Sequence, residues 1–319
     1  MKTLTGDSTA LVTGAANPLG RAMVLALVRR GVRVFMVARD WETGFRLRDE
    51  ARSLAGPENY PELFFAEFSL LGDAAALAER IRSRTDALDA IFHFAGWRPA
   101  QDEPATLVDP EPSFIYNVLS PFVLTNALEP LLAAREGRVV SDVSAAWAGG
   151  RLDWSSEALA SSVSEIDEET TAPEDSQTLL AASAGEADDT EFLPEGPLPD
   201  PTVAWADAQA ARILWTFALA NRWQDRGLGA FAFRPGWLDL DVFPHLVPHE
   251  KFGVHLLSIF TPSLEKLTER ALRLAESAPL GPAGVWWPAE RPHRVARLAD
   301  PWLQTCLWER LTHWTSSAV

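Results

Sequence analysis

From Thr9 the chain reads TALVTG, then PLGRAMVLALVRRG, then VRVFMVAR: a short apolar run, a stretch with helical spacing that closes at Gly31, and a second apolar run. This order constrains the fold more than any other feature. Two buried strands joined by one helix-length crossover lie parallel, and the crossover is right-handed. The pattern repeats. ELFFAEF, LDAIFHFAG, GRVVSDVS and LGAFAFRPG read as further strands, and DAAALAERIRSR, SFIYNVLSPFVLTNALEPLLAAR, VAWADAQAARILWTFALANRWQDRG and SLEKLTERALRLAES read as helices. An α/β doubly wound parallel sheet follows, with ligands expected in the crevice at the carboxyl ends of its strands.

One region breaks the alternation. Residues 151–200 hold 14 Asp or Glu against one basic residue, Arg151, and so carry most of the net charge of -16. Rich in Ser, Thr and Pro and poor in large apolar groups, this segment is expected to be an acidic, flexible insertion within a single domain spanning 1–319, with a short helix near 176–184. It reads either as a solvated surface loop or as a segment that binds a protein partner or covers the crevice. The negative balance speaks against nucleic-acid binding, which draws on clustered Lys and Arg. No apolar run approaches the roughly 20 residues of a membrane span, and MKTLTGDSTALVTG has no secretory apolar core, so a soluble, cytoplasmic protein is expected. The single cysteine, Cys306, excludes an intramolecular disulfide. No metal site is expected either, since His245, His249 and His255 come without a supporting carboxylate pattern.

Several strand ends carry specific motifs. TGAANPLG (13–20) links the first strand to the first helix, VARD ends the second strand at Arg39, and HFAG (93–96) ends the fourth; IYNVLSPF contains Asn117, GRVVSDVS ends at Ser144, and RPGW (234–237) and LWERL (307–311) follow. In this order they resemble the short-chain dehydrogenase/reductase family, most closely its retinol-dehydrogenase-like branch, over nearly the whole chain except 151–200. The resemblance implies a Rossmann-type fold and a dinucleotide, NADP, on the glycine turn. Gly14 and Gly20 keep the family's turn, with Asn17, Pro18 and Leu19 between them, and Pro18 replaces its middle glycine with a ring that lacks an N–H. By the same resemblance Arg39 faces the 2′-phosphate, Ser69 replaces an adenine-contacting Asp, Ala95 and Gly96 border the cofactor, and Pro235-Gly236 flank the nicotinamide. Asn117 and Ser144 match two catalytic positions.

The other two catalytic positions, a tyrosine and a lysine four residues later, hold Trp205 and Gln209. Tyrosine occurs only as Tyr60 and Tyr116 and lysine only as Lys2, Lys251 and Lys266, so no Tyr lies four before a Lys. An indole N–H donates without titrating, and an amide has no charge with which to tune a neighbour. Three readings remain open: a pseudoenzyme that binds ligand or cofactor and interacts with partners, a noncanonical cyclase, lyase or dehydratase using Ser144, Asn117 and His93, and an NADP-dependent oxidoreductase with a substitute proton donor. Trp97, Trp147, Trp205 and Trp237 map by the resemblance near one cleft, which suits an apolar or aromatic small molecule. His93 is either a crevice acid or base or a satisfied histidine at a strand end. Family dimers pair through two long helices, here near 111–134 and 203–226, so a homodimer is a further expectation; Trp215, Phe217 and Trp223 on the second helix suit either a dimer face or the core.

Overall fold

The computed structural model describes residues 2–56, 60–98, 112–149, 201–235, 263–277, 285–286, 292–293 and 298–316. The acidic segment 151–200, Gly236, Trp237 and the three histidines between 245 and 255 lie outside them. Strands β1 (Thr9–Thr13), β2 (Arg33–Ala38), β3 (Glu62–Phe65), β4 (Ala90–His93), β5 (Arg138–Asp142), β6 (Gly229–Phe233), β7 (Val285–Trp286) and β8 (Pro292–His293) form one sheet in the order β3-β2-β1-β4-β5-β6-β7-β8. All pairs are parallel except β7 with β8. The order reverses between β1 and β4, the switch point where such sheets open a crevice.

Both faces of the sheet are covered, which is why its strands read as continuous apolar runs rather than alternating ones. Leu11, Phe35, Ile91 and Val139 pack with helices α3 (Leu71–Arg82), α4 (Ser120–Ala133) and α5 (Pro201–Arg222). Val12, Val34, Phe92 and Val140 pack with α1 (Pro18–Arg29) and α6 (Leu264–Glu276). Helix α1 is set by its ends: Asn17 caps it, Pro18 takes its first position, and Gly31 follows it at φ 76°.

Three details depart from the pattern read in the sequence. A helix α2 (Trp41–Leu54) fills the β2–β3 crossover, started by Asp40, whose carboxylate accepts the Thr43 N–H at 2.8 Å. The long helix expected from Ser113 is broken at its start, since a turn at Pro112–Phe114 runs into a π-helical segment, Ile115–Leu119, before α4 begins. A final helix, α7 (Pro301–Thr315), lies on the α4/α5 layer, with Trp308 edge-on to Phe122 at 5.1 Å, Trp314 to Phe114 at 5.5 Å, and Arg222 over the Trp308 ring at 4.1 Å. Trp215, Phe217 and Trp223 are buried in the chain's own core. Among the described residues no helix is long and apolar enough to cross a membrane.

The β1–α1 turn sets the tightest packing. A Cβ on Gly20 would sit 2.1 Å from the Gly14 carbonyl oxygen, a backbone atom that cannot swing away, whereas Gly72 in α3 has open space around it. Gly20→Ala is therefore expected to lower the urea-unfolding free energy by about 3 kcal/mol, the upper end for overpacking. Gly72→Ala is expected to raise it by about 0.5–1 kcal/mol through helix propensity.

Candidate dinucleotide crevice and the polar lock beside it

The carboxyl ends of β1 to β4 enclose a crevice of about 170 Å³. It is lined by Gly14, Ala95 and Gly96, by Arg39 and Asp40, and by Phe68 and Tyr116. Gly14 adopts φ 61°, and a Cβ there would lie 2.5 Å from the Phe94 carbonyl oxygen, so the turn requires glycine to pass beneath β4. Asn17 ties the turn together: its Oδ1 accepts the Gly20 N–H at 2.7 Å and its Nδ2 donates to the Phe94 carbonyl at 2.6 Å. Pro18 sits at the first helical position, where a missing N–H costs nothing. The Arg21 N–H donates to the Asn17 carbonyl at 2.8 Å, and Leu19 is buried and does not line the crevice.

At the second strand end, Arg39 is 60% exposed and its Nε lies 3.4 Å from the Glu67 carboxylate. Glu67, not Ser69, is the polar residue that the chain after β3 brings against Arg39. Ser69 is exposed, and its N–H and hydroxyl both donate to Glu67, at 3.1 and 3.0 Å, while Ala66 and Phe68 form the wall. This corrects the position assigned to Ser69 from the sequence, because the strand ends at Phe65 and the chain turns away after Phe68. Tyr116, mostly buried, has its phenol pushed above the ordinary value by burial and then by the Glu67 carboxylate, with Arg39 and Arg212 pulling the other way. Asp40 is held below the ordinary carboxylate range by the Thr43 N–H that it caps.

The other end of the crevice has spent its polar groups internally. Asn117 is fully buried: its Oδ1 accepts the Trp97 N–H at 3.1 Å, and its Nδ2 donates to the Trp97 and Ser113 carbonyls, both at 2.7 Å. Gln209 is buried and its Oε1 accepts the Ser144 N–H at 2.9 Å, a bond that a lysine ammonium, with no acceptor, could not make. The Ser144 hydroxyl accepts the Ala146 N–H at 3.3 Å. Trp205 is buried, and the Arg98 guanidinium lies over its ring at 4.8 Å. Trp97 and Trp147 are half-buried against the α4/α5 core, so none of the three described tryptophans lines the crevice. Pro235 is half-buried just beyond β6.

His93 does not reach the crevice. Paired with Ser141 across β4 and β5, it is buried, with Nε2 2.7 Å from the Thr125 hydroxyl and its ring 6.1 Å from that of Trp215. Burial first, and the Arg212 charge second, hold its pKa well below the ordinary value, so the ring is neutral and has no route to exchange protons with a ligand. The acid–base role considered for His93 is thereby corrected to a packing role.

Sequence reasoning passed over Arg212. One turn beyond Gln209 on α5, it is fully buried and donates to the carbonyls of His93, Ala95 (3.0 Å) and Asn117 (3.4 Å) and to the Asp142 carboxylate at 2.9 Å. Burial lowers its pKa and Asp142 opposes that shift. The one signal available was a charge inside the apolar run AARILW, which a buried helix carries only when the charge is paired. Among the described residues no group of three His, Cys, Asp or Glu side chains could hold a metal ion.

The sequence model of the short chain dehydrogenase family matches residues 8–156. The chain is similar to human dehydrogenase/reductase SDR family member 13, 28% identical over 251 residues, which cover 75% of this chain and 54% of the relative. It is 45% identical over 82 residues, 26% of this chain and 28% of the relative, to an uncharacterized oxidoreductase of Myxococcus xanthus. The chain spans about half the length of the first two curated relatives it matches. Among solved structures it is similar in fold to the RhlG/NADP complex of Pseudomonas aeruginosa, with a TM-score of 0.60 at 20% identity over 86% of this chain and 91% of that one.

Two measurements check the polar lock. Arg212→Leu leaves Asp142 and three carbonyls without their donor and is expected to lower the unfolding free energy by about 3–5 kcal/mol. Because the folded pKa of His93 lies below its unfolded value near 6.5, the unfolded chain takes the proton first as pH falls. His93 thus contributes its full stability above about pH 6.5 and loses it on acidification by up to about 1.4 kcal/mol per pH unit. In urea titrations at pH 7 and pH 5, His93→Gln is expected to flatten that decline.

Proposed function

Because this chain belongs to the short-chain dehydrogenase/reductase family, we propose that it is a nucleotide-binding member that serves as a binding and interaction module without conventional hydride transfer. The observation that carries this reading is the Gln209–Ser144 clamp beside a buried Trp205. A carbonyl reduction needs a proton donor with an acidity near the working pH, placed against the substrate oxygen. Trp205 and Gln209 do not titrate, His93 is neutral and enclosed, and the Asn117 side chain is committed to the Trp97 backbone. Nucleotide binding is supported by the Gly14–Asn17 turn and Arg39, which line the crevice, and by similarity in fold to proteins solved with NADP. A bound NADP(H) would be held by the turn and Arg39, and the hydride it carries would find no matched proton donor among the described residues. Residues 151–200 would supply the contact for a protein partner.

Incubating the purified protein with NADPH and a panel of aldehydes and ketones, with absorbance followed at the nicotinamide band, tests this. No oxidation above the buffer rate is expected, consistent with the factor of about 10² to 10⁴ that general acid catalysis contributes. Turnover that disappears in Ser144→Ala would replace the proposal with a reductase that draws its proton from water.

A further inference from the structure

Helix α7 has two faces of opposite character, and the helix pair beneath it has one face that only α7 covers. We infer that α7 is an intramolecular cap: it closes the α4/α5 face to a second copy of the chain and keeps the protein monomeric, and loosening it turns that face into a self-association surface. The flank concerned lies across the sheet from α1, so the inference holds whether or not a nucleotide binds.

Asp300 and Pro301 start the helix, the Asp300 carboxylate accepting the Trp302 N–H at 2.9 Å. From there Leu303, Leu307 and Leu311 recur at helical spacing and are buried in the core that α4 and α5 share, while Thr305, Glu309, Thr312 and His313 are exposed. A buried amide fixes the seat. The Gln304 carbonyl accepts from the Asn221 amide of α5 at 2.6 Å, and its own amide donates to the Leu298 carbonyl at 3.2 Å, so sliding α7 by one turn would strand both.

Without α7, Phe114 would lose Trp314, Phe122 would lose Trp308, and the Arg222 guanidinium would lose the ring beneath it. The α4/α5 layer would then turn an apolar face to water, the kind of patch through which chains associate. Because that face is shaped to take a helix, a helix pair of a second copy fits it as α7 does. With α7 in place the outward surface is polar. The large apolar side chains still exposed among the described residues, Trp41, Leu54, Tyr60, Leu70 and Trp302, stand at the ends of α2, α3 and α7 or before β3 rather than along one helix face. A net charge of -16 on each copy opposes association further.

Cys306, the single cysteine, is half-buried on α7 and so reports its docking. Light scattering of the full chain over a wide concentration range, in about 0.3 M salt to screen the net charge, is expected to give the mass of one chain. Cys306 is expected to react with Ellman's reagent at least about tenfold more slowly than in the urea-unfolded chain. Trp308→Ala, which removes the contacts with Phe122 and Arg222 from a half-buried position, and Leu307→Asp are each expected to speed that reaction by about tenfold or more and to raise the mass towards two chains as concentration increases. Thr312→Gln, on the outward face, is expected to change neither quantity. Circular dichroism checks the fold of each variant, and where Leu307→Asp fails to fold, Trp308→Ala decides. A mass of two chains for the unaltered protein would overturn the inference, as would Cys306 reacting at its unfolded rate. Trp308→Ala with faster Cys306 chemistry but the mass of one chain at every concentration would overturn it, and so would no change in either quantity. A rise in mass without faster Cys306 chemistry, or an equal effect of Thr312→Gln, would place the association on another face and overturn it as well.

Discussion

A guanidinium without access to water needs acceptors from the chain itself, and in this protein Arg212 draws them from the carboxyl end of the sheet through both terminal nitrogens, leaving its Nε unmatched. Its donors reach the ends of β4 through His93 and Ala95, the π-helical segment through Asn117, and the end of β5 through Asp142. Each of these elements is thereby fixed relative to α5. Because breaking a buried pair costs far more than forming it contributes, the arrangement works less as a source of stability than as a constraint on geometry. The four elements can occupy one relative position.

That constraint also draws Asn117, Gln209 and Ser144 into the framework. Once α5 is pinned by Arg212, Gln209 one turn earlier is brought against the β5 end, where its carbonyl meets the Ser144 N–H. Asn117, whose own carbonyl accepts from Arg212, has its side chain free to hold both sides of the Trp97 peptide. The Asn117 and Gln209 side chains are thus used to close the chain on itself. The same low-dielectric surroundings keep His93 neutral, so a buried positive charge and a buried imidazole coexist without a second partner for the imidazole.

The fold was legible because its signal is collective. Apolar runs separated by single helices have one compact arrangement, and β1, β2, β4, β5 and β6 lie where TALVTG, VRVFMVAR, LDAIFHFAG, GRVVSDVS and LGAFAFRPG placed them. Helix α2 was less visible, since only Gly44, Leu47 and Ala51 of its residues are buried and its polar composition reads as a loop. The π-helical break at Asn117 left no trace, because Ile115–Leu119 has the same apolar spacing in either register. The site was legible where backbone geometry governs it, at Gly14 and Gly20, and illegible where pairing in space governs it. Arg212 and Asp142 are 70 residues apart, and nothing local in either segment announces the other. Glu67 and Ser69 were confused for a related reason: two residues along an irregular turn reverse direction in a way that only the end of β3 decides.

The glycines of the first turn need a more careful reading than their usual association with a cofactor suggests. Gly20 is required by the Gly14 carbonyl and Gly14 by the Phe94 carbonyl, so both would be demanded by the chain's own packing with no ligand at all. Asn17 likewise spends both ends of its amide on backbone groups of the turn and of β4. What stands at the crevice rim with charge to offer is Arg39, 3.4 Å from Glu67 and bonded to the Tyr116 phenol. A fold can keep a nucleotide turn for structural reasons alone, whereas Arg39 is tied only at one edge, to Glu67 and the Tyr116 phenol, and stays 60% exposed. The case for a phosphorylated ligand therefore rests on Arg39 more than on the motif that first suggests it.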